Sequence, residues 1–492
     1  MSSWESLVDE AALATVLPPE YARYRRPIAG ALAHFLDGLP PDHQSAVLHD
    51  QAALPWTAST AERLARLAQS CPALHKLGQI LARDPRLSPE LRGHLQGLES
   101  LPPAVPIEAI ERLLRDEVGP LERYDIRLEP PAIAEASVAV VVPFRGEGPG
   151  VFKVLKPGIE DRLDQELALL ESVGGYLDER CDDFGIPHLD YRGVFEQIRI
   201  KLLQEIRLDD EQRHLARARA FYDNDPAIHI PALLGPCGRR VTAMERVFGS
   251  KITEGSGPEG RKWAGLLADA LIARPIFAKS GGAIFHGDPH AGNIFRGDDG
   301  RLAILDWSLA GVLGGWECST IVQVMLAAVA LDAGRVAALL DVLGEWRGTD
   351  AKALGEVVRD RLRELRRGRF PGFSWLLGLL DDAATRARLR PSSDLLLFRK
   401  SLHTLQGVVA DLAGNDGPIE GAILGRFARR MAAEWPLRWA SWPRSRAFDT
   451  HVSNADLLQL ACEAPIAAAR FWLEEGRDLA ELLSPSAKAP AS

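Results

Sequence analysis

One string constrains this chain more than any other: Phe285-His286-Gly287-Asp288-Pro289-His290-Ala291-Gly292-Asn293-Ile294-Phe295, followed downstream by Ile304-Leu305-Asp306-Trp307. Asp288 and Asn293 fall in a run of turn-forming residues, and Asp306 ends a short β-prone segment. Turn formers alone would make an ordinary loop. An Asp, then an Asn on the same loop, then an Asp after a strand offer more: a base beside an attacking oxygen and two hard oxygen ligands. A divalent ion bridging phosphates needs such ligands. Asp288 is therefore the candidate catalytic carboxylate, and Asn293 and Asp306 are the candidate ligands of Mg2+.

Upstream, the runs Ser137 to Val142 and Val151 to Leu155 are β-prone and are separated by the Gly-rich stretch Gly146 to Gly150. Lys153 sits inside the second run. A lysine among apolar strand residues is costly to bury unless it is paired or bound to an anion, so it either lies on an edge and points to water or grips a phosphate. A phosphate-gripping lysine needs a helix glutamate. Glu205 and Glu211 are the candidates, and Glu211 is preferred. Further strands are expected at Val241 to Glu245 and Leu302 to Asp306. Helices are expected over Asp161 to Leu177, Gly193 to Asp223, Lys262 to Ser280 and everything after Trp316.

The net charge of −9 speaks against a dedicated nucleic-acid binder. Five scattered cysteines with no metal-ligand spacing make zinc or a disulfide framework unexpected. The acidic start MSSWESLVDEAA lacks an apolar core for a signal peptide, and the longest apolar stretch, Thr320 to Leu331, falls short of the ~20 residues that span a bilayer. A cytoplasmic protein, or one peripheral to a membrane, is expected. Two clusters mix cations with aromatics: Arg359 to Arg369 with Phe370, Phe373 and Trp375, and Trp435, Arg438, Trp439, Trp442, Arg444 and Arg446. Both a bilayer interface and a solvated arginine face beside core aromatics have this composition.

From about Leu74 to Gly311 the chain resembles the UbiB/AarF-type atypical kinases, the family of the coenzyme-Q-associated kinases. Residues 286–293 are similar to that family's HxDPHPGN loop, with Ala291 where proline is usual. Asp306-Trp307-Ser308 stands in the place of its DFG motif. Lys76-Leu77-Gly78-Gln79 is similar to its KxGQ motif, and Ala134-Glu135-Ala136-Ser137 to its alanine-rich loop. The resemblance implies that KxGQ helices cover the nucleotide and exclude a protein substrate, with Lys76 reaching Glu205. It also implies that Lys76, Gln79, Ala134, Ala136, Ser137 and Glu205 belong to the nucleotide pocket. Departures are Arg207 at the ExD aspartate, Ser308 at the DFG glycine, Glu135 inside the alanine-rich loop and Val140 after it.

The expected fold is α+β: a protein-kinase-like, two-lobed, mostly helical plan with an N-terminal helical extension carrying the KxGQ motif. The extension covers 1–125, the small sheet lobe 126–250, the helical lobe with the catalytic and metal loops 251–430, and a helical tail 431–492. The expected function is an ATP- (or ADP-) and Mg2+-dependent kinase or ATPase that phosphorylates a small molecule or lipid, or handles an isoprenoid or quinone-type lipid or a biosynthetic complex. Lys153 would hold the phosphates, and adenine would meet Met244, Glu245 and Val247. A pseudokinase scaffold is the first alternative. An aminoglycoside-phosphotransferase-like small-molecule kinase is the second.

Overall fold

The computed structural model describes Trp4 and residues 10–82, 86–98, 105–254, 259–278, 283–344, 348–366, 372–414 and 419–462. The proline-containing stretches Asp84-Pro85 and Leu101-Pro102-Pro103, whose sequence predicts turns, lie outside these, as do Arg367, Arg369 and Phe370. The described chain is mostly helical. Its strands are β1 (Arg127–Leu128), β2 (Ala134–Glu135), β3 (Ala139–Arg145), β4 (Pro149–Leu155), β5 (Ile228–His229), β6 (Val241–Glu245), β7 (Gly249–Lys251), β8 (Ala283–His286), β9 (Ile294–Gly297), β10 (Leu302–Ile304) and β11 (Ala310–Leu313). Two compact units result: Met1–Ala216 with Pro231–Val247, and Arg217–Ile230 with Phe248–Ser492.

The first unit opens with short helices whose starts are written in the sequence. The Ser59 hydroxyl accepts the Glu62 N–H at 3.2 Å, and the Ser88 hydroxyl accepts the Leu91 N–H at 3.2 Å ahead of Pro89. These helices bury Phe35, Leu36, Leu67, Leu74 and Leu91 against Leu163, Leu167, Leu170 and Val173 of the long helix Ile159–Asp178. A carboxylate stands inside that contact. Glu166 is fully buried; it accepts the Ala73 N–H at 2.8 Å, at the start of helix Pro72–Leu81, and the Arg162 Nε–H at 3.2 Å. An anion from a neighbouring helix thus satisfies one of the amides that every helix N-terminus leaves unpaired.

Burial pushes the Glu166 carboxyl up to about 7, against the pull of the Ala73 amide and Arg162. Its folded affinity for a proton therefore exceeds its unfolded one. The stability it lends is full below the ordinary value of 4.5 and is lost as pH rises towards 7. The wild type minus Glu166→Gln difference in unfolding free energy should accordingly fall by roughly 3 kcal/mol between those limits. Urea unfolding across a pH series measures it; a difference independent of pH would show that the carboxyl titrates normally.

The sheet of this unit runs β1-β3-β4-β6, with β2 also paired to β3. The β3–β4 hairpin is longer than expected, with register from Ala139↔Leu155 to Arg145↔Pro149. Gly150 belongs to a strand rather than to the turn, because the Phe144 ring occupies the space a Cβ there would need, 2.2 Å away. Phe152 and Val154 face a core formed with Ile110 and Leu114 of helix Ile107–Val118, while Leu155 faces the opposite side with Ile159 and Leu208. The single helix expected over Gly193 to Asp223 is two, Tyr191–Glu205 and Leu208–Tyr222. Asp209, Asp210 and Glu211 in succession suit a helix start rather than an interior, and the Arg207 carbonyl accepts the Asp210 and Glu211 N–H groups there.

In the second unit β5-β10-β9-β7 form one sheet and β8 pairs with β11. The helix expected over Lys262 to Ser280 is interrupted. Gly260–Ala268 passes into a π-helical turn, Asp269–Ala273, before the short helix Arg274–Ile276. Pro275 supplies the reason, since it has no N–H for the Leu271 carbonyl. Among the described residues the rest of this unit is mostly helical, from Gly315–Val329 to Ile419–Arg438, with an irregular stretch over residues 439–453.

Candidate functional site

Lys153 lies in β4 with partners on both sides, Val141 of β3 and Thr242 of β6, so it is on a central strand and not an edge. Its Nζ donates to both carboxylate oxygens of Glu211 at 2.8 Å. The Glu211 side chain is 2% exposed and that of Lys153 13%, so the two charges compensate one another in a largely dry setting. Glu211 falls in the first turn of its helix, where the helix dipole favours a carboxylate. The next residue fixes that helix to the sheet: Gln212 Nε2 donates to the carbonyls of Gly238 and Val241 and to Thr242 Oγ1 at 2.9, 3.1 and 3.0 Å.

Glu205, on the other side of the helix break, forms an ion pair with Lys76 of helix Pro72–Leu81 and accepts the Ser137 hydroxyl at 3.4 Å. Gln79 follows Lys76 on the same helix, one turn on. Ala134 and Ala136 are exposed, whereas Glu135 between them is buried. A carboxylate in that loop would repel phosphates, but Glu135 is compensated within the unit: it pairs with Lys156 at 2.8 Å and accepts the Val105 N–H at 3.3 Å. Met244 and Glu245 end β6 and are half-buried, as is Val247; Glu245 also accepts the Ala232 N–H at 3.1 Å. Arg207 and Arg213 pair with the aspartates nearby, Arg207 with Asp210 at 3.5 Å and Arg213 with both Asp209 and Asp210.

In the second unit the strand pairing itself builds the acid loops. One loop joins β8 to β9 and carries Asp288 and Asn293; the other joins β10 to β11 and carries Asp306. Because β9 pairs with β10 and β8 with β11, the loops are held together at both ends. The Leu305 N–H donates to the Asn293 carbonyl at 2.8 Å, and the Gly287 N–H to the Leu309 carbonyl at 2.7 Å. Glycine is required at 287, since a Cβ there would stand 2.8 Å from that same carbonyl oxygen.

His286 ties the two loops together a third time. Its Nδ1 accepts the Asp288 N–H at 3.2 Å, so the ring proton is on Nε2, which donates to the Leu305 carbonyl at 3.0 Å. Burial holds its pKa below the usual imidazole range, which keeps this neutral form, and its ring meets Trp307 edge-on at 4.9 Å. Asn293 Nδ2 donates to the Asp288 carbonyl at 3.2 Å, which orients the amide and turns its oxygen to the other side. Asp306 has φ +53°, a left-handed conformation that Asp tolerates better than most residues, and its Oδ1 accepts the Ser308 N–H at 3.2 Å. A carboxamide oxygen and a carboxylate beside a second carboxylate fit Mg2+, which keeps waters and takes phosphate oxygens as its remaining ligands.

Several residues of these clusters carry no sequence signal. Lys400 Nζ stands 3.7 Å from Asp288 Oδ1, and the neighbouring Ser401 hydroxyl donates to the His286 carbonyl at 2.6 Å. Both are on helix Ser393–Ala413, far along the chain from the loop they support. Gln212, Lys156 and Glu166 are likewise unmarked by any motif.

The cation–aromatic clusters divide by depth. Phe373 and Trp375 are buried, while Arg361 pairs with Asp382 at 2.8 Å and Arg363 with Asp360 at 2.7 Å. Arg438 is buried, bonded to Glu434, Thr450 and the Val452 carbonyl, and Arg446 pairs with Asp456. Trp435, Trp439 and Trp442 are exposed, the last by 85%. No helix among the described residues is long and apolar enough to cross a membrane.

Comparison with known proteins bears on the middle of the chain. Residues 97–340 match the family model described as ABC1 atypical kinase-like domain. The chain is 29% identical over 300 residues to a chloroplastic Arabidopsis thaliana protein named ACTIVITY OF BC1 COMPLEX KINASE 1, covering 58% of this chain and 43% of that one. It is 29% identical to an uncharacterized chloroplastic aarF domain-containing protein kinase of the same plant, covering 57% and 54%. It is 26% identical to the probable protein kinase UbiB of Marinobacter nauticus, covering 72% and 68%. The chain thus spans about half the length of the first two relatives. The fold is kinase-like and mostly helical with some sheets; residues 97–340 form an ABC1 atypical kinase-like domain, and the chain is similar to proteins named UbiB and aarF domain-containing kinases.

Proposed function

We propose that the chain binds ATP with Mg2+ and transfers or releases its terminal phosphate, acting on a small molecule or lipid rather than on a protein. The observation that supports this reading is the clasp of the two acid loops, whose strands pair so that the segments carrying Asp288 and Asn293 and the segment carrying Asp306 are joined at both ends. Magnesium, when bound, supplies charge neutralisation across the phosphates. Asp288 orients and accepts the proton of the attacking oxygen, and Asn293 and Asp306 hold the ion. Lys153, itself held by Glu211, contacts the α/β-phosphates. Met244, Glu245 and Val247 border the adenine, with Ala134, Ala136 and Ser137 near the phosphates. Lys76 and Gln79, on a helix locked by Glu205, serve as a lid that excludes water and bulky peptides. The exposed indoles of Trp435, Trp439 and Trp442 give the surface for a peripheral membrane contact in the cytoplasm. The acidic chain takes no nucleic acid.

Phosphate release from ATP by the purified protein is expected to require Mg2+ and to fall at least about a hundredfold in Lys153→Ala. Undiminished turnover in that variant would reject the assignment. Thermal stabilisation by Mg-ATP, with no hydrolysis across polar aromatic and isoprenoid acceptors, would instead identify a nucleotide-binding scaffold. The replacements Arg207 and Ser308 favour that second reading.

A further inference from the structure

The helical extension holds a cavity of about 530 Å3 within the first unit, lined almost wholly by aliphatic and aromatic side chains, among them Leu32, Phe35, Leu74, Leu77, Leu95 and Val173. The cavity opens to solvent, so its apolar walls face water unless something covers them. Its volume falls within the range of small-molecule sites, and its lining excludes ions and polar metabolites. Tyr21, Tyr24 and Tyr191 are in the lining, and the Tyr191 hydroxyl is buried and has no hydrogen-bond partner among the described residues. Leu81 and Val194, also in the lining, are half-exposed and mark an apolar way in.

We propose that this cavity is a binding site for a long hydrocarbon chain bearing one oxygen acceptor, with the Tyr191 hydroxyl as the donor that anchors it. The lining dictates the hydrocarbon, and the phenol dictates a carbonyl, carboxyl or hydroxyl oxygen at one point along it. The site is not isolated from the ion pair described above. Helix Pro72–Leu81 presents Leu74 and Leu77 to the cavity and carries Lys76; helix Tyr191–Glu205 presents Tyr191 and Phe195 and ends in Glu205. An occupant wedged between these helices sets the spacing of the Lys76–Glu205 pair. Any effect on ATP turnover rests on the nucleotide reading; binding to the cavity does not.

The test is a nucleotide-free titration of the full chain with cis-parinaric acid, whose fluorescence rises in an apolar site. Saturable uptake of one equivalent is expected. Ala31→Phe places a ring in the cavity, and should weaken binding at least about tenfold while holding or raising the melting temperature. Tyr191→Phe keeps the volume and should weaken binding about three- to tenfold. No saturable uptake by the wild type overturns the proposal, as does equal uptake by a folded Ala31→Phe protein. Equal affinity in Tyr191→Phe overturns the anchor, which holds even if the ring variant fails to fold. ATP hydrolysis, measured separately, can fail without touching any of these outcomes.

Discussion

Asp306→Asn should leave the protein folded and reduce Mg-dependent ATP turnover by about two to three orders of magnitude. The substitution is close to isosteric. Asn accepts the left-handed φ of +53° as readily as Asp, and its carbonyl oxygen can take the Ser308 N–H that Asp306 Oδ1 takes now. What disappears is one negative charge on a hard ligand, which a neutral amide replaces poorly next to a divalent ion. Asp306→Ala gives a control of different character, because alanine is disfavoured at that φ by roughly 1 kcal/mol and keeps neither oxygen. Phosphate release and melting temperature, measured on the same preparations, separate the two effects. Full turnover in Asp306→Asn would remove this residue from the metal site.

Lys153→Met is expected to be the most destabilising single change in the first unit. It removes the cation that two Glu211 oxygens share, and Glu211 is 2% exposed. Breaking a buried pair from one side costs about 3–5 kcal/mol, which for a domain of this size lowers the melting temperature by about 10 °C. The companion Lys153→Met/Glu211→Leu should recover most of that loss, because a matched apolar pair leaves no buried charge. The strong non-additivity is the signature of direct contact. A single variant that melts with the wild type would mean that the pair contributes nothing to the fold.

The parts of this molecule that were legible in its sequence are those whose chemistry is local. Asp288, Asn293 and Asp306 announce themselves because loop residues between short strands are read from composition and spacing. The β-strands that frame them are less visible: Ala283–His286, Ile294–Gly297 and Ala310–Leu313 are four residues each, too short for an alternation to show. They exist because of their partners. The break between Glu205 and Leu208 was missed because helical periodicity runs through it, although three successive acids mark the new start. Glu205 and Glu211 could both have served Lys153; the structure gives Lys153 to Glu211 and Lys76 to Glu205. The charge of Glu135 reads as a difficulty until Lys156 is placed beside it by the end of β4. Lys400 is beyond local reading, since more than a hundred residues separate it from Asp288. The cavity is beyond it too. Apolar spacing says which side chains turn inward, never how fully they fill the space.

The exchange of partners among β8, β9, β10 and β11 has a bearing on how such a chain can diverge. Each acid-bearing segment is sewn down at entry and exit to the other, so neither can be lengthened or re-aimed without unpicking the seam they share. Variation in what the protein acts upon must then come from regions outside that stitch, and an engineer seeking a new acceptor would do better to recut the helical extension than the loops.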